Sequence, residues 1–369
     1  MRRRVVITGM GAVTPLGNDV PTFWQGLREG RCGIGPITHY DTSSQKVKLA
    51  GEVKDLPVAE YIDAKAAKRM DPFTQFAIIA AKQAYQQAGL TPENVDAERF
   101  GVLISSGIGG LNTIETEMRR GLEKGFDRVS PFFVPMNITN LAAGNVAIEL
   151  GAKGMCSCVV TACAGGTNAI GDAFRQIRDG YLDVIAAGGT ESSITPLGVG
   201  GFTSMKALCT KEDPARGSIP FDAERSGFVM GEGAGVLMLE EYEHAKARGA
   251  AILGELVGYG LPYHRPFPQR RRRRPGHDHG HGVRRHRAGT DRLYQCPWHI
   301  DSAQRQGGDF GCQTGLWPGG VSGGHQLHQI HDGPPAGGQR CHRGGGHGDG
   351  PAGVFLAAHH PLSVPGPGM

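Results

Sequence analysis

The stretch VVTACAGGTNAIGDAF, residues 159–174, carries the pattern that decides the fold. Val159 and Val160 are β-branched and apolar, as at the end of a buried strand. Gly165 and Gly166 follow, and Asn168, Ala169, Ile170, Ala173, Phe174 and Ile177 then recur at helical spacing. Cys163 therefore sits on a tight strand-to-helix turn, a geometry that lifts a nucleophile clear of its backbone. A helix N-terminus beneath the sulfur offers unpaired N–H groups and a partial positive charge, and both favour thiolate over thiol.

Around this turn, 369 residues are enough for one large core or two medium ones. The net charge of +4 is too small to argue for a polyanionic partner, and no nucleic acid is expected. Eight cysteines without framework spacing suggest a reducing compartment. Cys156 and Cys158 lie close to Cys163 but lack the second ligand pair of a zinc site. They read as packing residues, and no metal is expected. The opening MRRRVVITGMGAVTPLG is basic, yet its glycines and proline break the apolar run too early for a signal peptide. No stretch is long and apolar enough to span a membrane, so a soluble, cytoplasmic protein is expected.

Short apolar strands alternate with helices along the first 260 residues. Residues 4–8, RVVIT, read as a strand followed by a glycine-rich loop, GMGAVTPLGND. That loop is no dinucleotide fingerprint, because its third glycine position holds Thr14. Helices are predicted from Phe23, over residues 71–88 and over 111–126, with a buried strand in GVLISSGIGG at 101–110. After the cysteine helix, which ends at Gly180, DVIAAGGTE reads as a strand with a glycine-rich exit. Residues 218–249 supply a loop, a strand and a helix stopped by Gly249, and ILGELVGYG adds one more strand. Such alternation predicts a layered α/β architecture.

TAC followed by TNAIGDAF, together with AAGGTESS at 186–193 and PFDAERSGFVMGEGAG at 220–235, resembles the elongating, type II β-ketoacyl-acyl-carrier-protein synthases, condensing enzymes of the thiolase superfamily. The resemblance runs from Arg4 to Gly260. It implies an α/β, thiolase-like layered fold of which only the N-terminal half is present, in a domain spanning residues 1–260. It also implies decarboxylative condensation of an acyl thioester with a malonyl thioester in fatty acid elongation. Cys163 is then the catalytic nucleophile, and Ile108, Phe133 and Phe202 line the acyl channel, unless those three are ordinary core. Glu232 and Arg225 read as structural. The implied partners are acyl carrier protein and a second copy of the chain, with no cofactor. A polyketide-type ketosynthase is the competing enzyme.

The family also uses two histidines and a lysine, in HGTST-like and NSTKSMTGH-like blocks that this chain does not contain as written. Beyond residue 260 the alphabet changes. Of 15 histidines only His39 and His244 come earlier, the last lysine is Lys246, and Gly, Pro, Arg and His dominate. Taken literally, residues 261–369 are a disordered, basic, histidine-rich tail of a non-catalytic binding protein. A second explanation covers more of the sequence. Back-translated and shifted by one nucleotide, residues 294–302 permit INAHGTST, residues 326–336 permit NSTKSMTGHL, and the segment from Leu261 permits YHITAPSP. Three blocks with one offset, in family order, identify the tail as an out-of-frame translation of the missing half. Without that half, one face of the sheet is expected to lack its covering layer.

Overall fold

The computed structural model describes residues 2–260 and the strand Gly353–Ala357. In chain order the elements are β1 (Val5–Val13), α1 (Val20–Arg28), a ribbon of β2 (Gly35–Pro36) and β3 (Leu49–Ala50), and the short helices α2 (Val58–Tyr61) and α3 (Ala64–Ala67). Next come α4 (Pro72–Gln87), β4 (Phe100–Ser105), α5 (Leu111–Lys124), α6 (Phe133–Asn137), α7 (Leu141–Leu150) and β5 (Cys156–Ser157). The cysteine helix is α8 (Gly165–Arg178), followed by β6 (Val184–Glu191), α9 (Pro196–Ser204), β7 (Gly233–Glu241), α10 (Tyr242–Ala247), β8 (Gly254–Gly260) and β9 (Gly353–Ala357). One mixed sheet has the order β5-β4-β6-β7-β1-β8-β9. Its β5, β4 and β6 strands are parallel, and the pairings from β6 onward are antiparallel.

The layers follow from the two-residue period of the strands. Phe100, Val102 and Ile104 of β4, with Val184 and Ala186 of β6, join the core beneath α4 and α7. Their neighbours Leu103, Ile185 and Ala187 point the other way, onto Ala169, Ala173, Phe174 and Ile177 of α8. Helices thus cover both faces, which is why these strands read as continuous apolar runs. The expectation of a bare face is corrected: among the described residues α8 occupies it.

The glycine-rich segment after residue 8 also differs from its sequence reading. Its first five residues, 9–13, are the second half of β1, with a bulge between Ile7 and Gly9, and only the part from Thr14 to Asp19 lies outside the strand. A Cβ at Gly9 would sit 2.0 Å from the Ala84 carbonyl oxygen, and one at Gly11 would sit 1.8 Å from that of Ala80. These glycines bring α4 into backbone contact with the strand, a demand set by a partner some seventy residues away. Gly353–Ala357 adds antiparallel to the edge of β8, a departure from a tail without structure. The rest of the tail, with its three shifted blocks, lies outside the described residues.

One buried carboxylate ties the sheet to α10. Glu240 is fully buried on β7 and accepts hydrogen bonds from Thr8 Oγ1 (2.8 Å), Arg248 Nε (2.7 Å) and a second Arg248 nitrogen (2.7 Å). His244 Nδ1 lies 2.6 Å from the same carboxylate. Arg248 also donates to the Ala88 carbonyl beyond α4 (2.8 Å). Burial alone would raise the Glu240 carboxyl, but the hydrogen bonds from Arg248, His244 and Thr8 hold it below its ordinary 4.5. The bond to Glu240 raises the His244 imidazole above its ordinary 6.5, against partial desolvation.

The glutamate's contribution is full above pH 4.5 and is lost as pH falls through its folded value. The histidine's is full below pH 6.5 and is lost as pH rises through its folded value. Glu240→Ala leaves Arg248 without its carboxylate and is expected to cost about 3 kcal/mol in urea unfolding. It should also flatten both pH limbs of the unfolding midpoint.

Candidate active site

The chain leaves the sheet early to build the cysteine turn. β5 is only Cys156–Ser157, paired with Val102 and Leu103 of β4. Val159 and Val160, read as a buried strand end, lie outside any strand, and Val160 is 54% exposed. The β-branched pair mimics a strand locally. Its backbone is instead held by Ser105, whose hydroxyl donates to the Val159 carbonyl at 2.5 Å.

A turn of 3-10 helix, Ala162–Ala164, follows, with Ala162 in the left-handed region at φ +49°. Cys163 is exposed there, immediately before Ala164, the N-cap of α8. Among the described residues the N-cap makes no side-chain bond to α8 and no acidic residue stands in the first turn, where the helix dipole favours negative charge. Gly165 makes room for the Ser105 hydroxyl, because a Cβ there would lie 2.0 Å from Ser105 Oγ.

Neither neighbouring cysteine is the packing residue read from the sequence: Cys156 is exposed and Cys158 partly so. Desolvation pushes both thiols up, in Cys158 against hydrogen bonds from Ser106 and Thr139. Among the described residues no group of three His, Cys, Asp or Glu side chains is placed to hold a metal ion.

A second carboxylate organises the loop that leaves β4. Glu191, the last residue of β6, accepts from the backbone amides of Gly107 (2.7 Å) and Ile108 (3.2 Å) and from the hydroxyls of Ser193 (2.9 Å) and Ser106 (3.4 Å). Burial pushes its carboxyl up, against those four bonds. Ile108 is thereby presented at 38% exposure. Phe133 is the first residue of α6, whose last residue, Asn137, accepts through its carbonyl from the Gly110 amide (3.1 Å). Phe202 is elsewhere. It lies on α9 and packs edge-on against Phe228, with ring centroids 5.5 Å apart, in the cluster of Ile194, Val199 and Met230. The loop that carries Ile108 is thus hydrogen-bonded to the end of the Phe133 helix, and Phe202 packs in the cluster of Ile194, Val199 and Met230.

Glu232 and Arg225 make structural contacts. Glu232 is buried and accepts from Ser192 Oγ (3.0 Å) and the Val53 amide (3.0 Å), with His39 Nε2 at 2.8 Å. That bond raises the His39 imidazole above its ordinary value, against partial desolvation. Arg225 donates to the Asp222 carbonyl within its own loop (2.9 Å). Sequence reasoning passed over Glu191 and His39, the one inside the quoted AAGGTESS block and the other one of only two histidines before residue 261.

Removing the Glu191 acceptor should expose its effect on the Ile108 loop. Glu191→Ala is expected to speed amide exchange in the peptide covering Gly107 and Ile108 by about tenfold, one buried hydrogen bond's worth. Glu191→Gln, which keeps an acceptor oxygen, should speed it less. Hydrogen exchange read by mass spectrometry checks both.

The model of the β-ketoacyl synthase N-terminal domain matches residues 2–245. The 3-oxoacyl-[acyl-carrier-protein] synthase 2 of Synechocystis is 53% identical over 261 residues, covering 70% of this chain and 63% of that protein. Its counterpart from Staphylococcus aureus strain N315 is 51% identical over 258 residues, covering 70% and 62%. The matched part thus spans less than two thirds of the length of these curated relatives. Among solved structures, a beta-ketoacyl synthase from Burkholderia phymatum superposes with a TM-score of 0.63 at 34% identity, over 70% of this chain and 64% of that one. A type II polyketide ketosynthase, solved in complex with its acyl-carrier protein and bound to the hexaketide, gives the same score and identity over 70% and 63%. The layered α/β fold expected of these enzymes is therefore the fold of the described residues, and the chain belongs to the β-ketoacyl synthase family.

Proposed function

We propose that residues 1–260 are the nucleophile-bearing half of an elongating β-ketoacyl-acyl-carrier-protein synthase acting in the cytoplasm on fatty acid precursors. The observation that carries this reading is the exposed Cys163, next to Ala162 at positive φ and just before Ala164, the N-cap of α8, which forms no side-chain cap bond among the described residues. In that role the Cys163 sulfur attacks the carbonyl of an acyl thioester and forms an acyl-cysteine, and the carrier leaves as its thiol. Malonyl-carrier then loses carbon dioxide, its enolate carbon attacks the acyl-cysteine, and the 3-oxoacyl-carrier departs as the Cys163 thiol is regenerated.

Identity of 51–53% to two 3-oxoacyl synthases, against 34% to the polyketide ketosynthase, favours fatty acid elongation over the polyketide alternative. The acyl-carrier complex of that polyketide enzyme supports a carrier protein as the partner here. A second copy of the chain remains the proposed assembly. Ile108 and Phe133 are the proposed channel residues, and Phe202 joins them only if the acyl chain reaches its core cluster.

Condensation needs groups that polarise the malonyl carbonyl and stabilise the enolate, and the two histidines and lysine of that task fall in the shifted blocks. The chain as written should accept an acyl group on Cys163 and stop there. Restoring the frame near residue 260 should raise 3-oxoacyl-carrier formation at least about 100-fold. Cys163→Ala in the restored chain should abolish both steps. Product assays on the three versions check this: robust condensation by the unrepaired chain contradicts the frame reading, and acyl transfer that survives Cys163→Ala contradicts the nucleophile.

A further inference from the structure

A line of hydrogen bonds enters the cysteine turn from the far side of α8. The Tyr259 hydroxyl donates to Asn168 Oδ1 at 3.1 Å, and Asn168 Nδ2 donates to Thr161 Oγ1 at 2.7 Å. Asn168 is 3% exposed, so its amide has both ends committed in a dry environment and its orientation is fixed.

The tyrosine is equally constrained. A Cβ at Gly171 would come within 2.2 Å of its ring, and the Arg175 guanidinium carbon lies 4.8 Å from the ring centroid. Asn168, Gly171 and Arg175 stand at i, i+3 and i+7, one stripe of α8 that docks Tyr259 near the end of β8. At the receiving end, Thr161 has φ −131° and ψ 43°, and Ala162 has φ +49°. Ala162 therefore sits in the left-handed region, and such backbone persists only where its surroundings over-determine it.

We propose that Asn168 and Tyr259 are positioning residues that, through the Thr161 hydroxyl, hold the turn in its strained form and so set the place of the Cys163 sulfur at the head of α8. The inference rests on Cys163 being the nucleophile. The relay also makes the reactivity of the cysteine depend on the last residues of β8.

The test uses the full 369-residue chain and iodoacetamide, which needs no acyl substrate, with labelling of Cys163 and of the exposed Cys32 followed by peptide mass mapping across pH. Thr161→Val keeps the shape and removes the hydroxyl. It should slow Cys163 about tenfold and move its rate-against-pH midpoint upward, as expected when a thiol drifts from a helix N-terminus, while Cys32 keeps its rate. Thr161→Ser keeps the hydroxyl and should label at the wild-type rate. Asn168→Ala should match Thr161→Val, and Tyr259→Phe should fall between.

Thr161→Val at the wild-type rate overturns the relay, and so does Thr161→Ser as slow as Thr161→Val, since that outcome assigns the effect to the methyl group. The comparison between variants holds whatever the absolute rate of Cys163. Failure of acyl transfer from a thioester would count against the proposed function and leave this result standing.

Discussion

Holding an L-residue other than glycine in the left-handed region costs about 1–2 kcal/mol. Ala162 is kept at φ +49° at the point where the chain turns from β5 into α8. The gain is geometric. The turn puts Cys163 at the surface, ahead of the uncapped first turn of a 14-residue helix. The surroundings must therefore supply at least the cost of the turn.

They supply it through the layers. β4 anchors the approach, with the Ser105 hydroxyl on the Val159 carbonyl and the absent Cβ of Gly165 making room for it. α8 is itself pinned to the sheet by Ala169, Ala173, Phe174 and Ile177, and such apolar burial is worth about 1.5–3 kcal/mol for each large side chain. On the opposite face α4 closes directly onto the β1 backbone. Glu240 then joins β1, β7 and the region following α10 through a saturated buried carboxylate. Strain at one residue is tolerable because the elements on either side of it cannot move independently.

The sequence showed some of this plainly. α4, α5 and α8 carry 3.6-residue periodicity with good boundaries, and the parallel strands are apolar on both faces because helices cover both. Two local signals misled. Gly9 and Gly11 resemble a loop because glycine usually marks one, whereas here each answers a carbonyl of α4 that only the folded chain brings near. Val159 and Val160 look like strand because they are β-branched, yet the parallel ladder ends at Ser157. The cysteine turn was legible since turn, glycines and helix are contiguous. Glu191 and the Asn168–Thr161 bond were not, because their partners are set by tertiary contact and no spacing announces them. Ile108, Phe133 and Phe202 were offered only by resemblance, since apolar residues on a loop and two helices carry no local sign of a channel.

On such a turn, Cys163 is expected to be the most reactive thiol among the five described cysteines. Brief treatment of the native chain with less than one equivalent of iodoacetamide near neutral pH, followed by peptide mapping, measures it directly. Cys163 should take the label well ahead of Cys32, Cys156, Cys158 and Cys209. Equal labelling of Cys32 or Cys156, which are exposed but lie on no such turn, would contradict it.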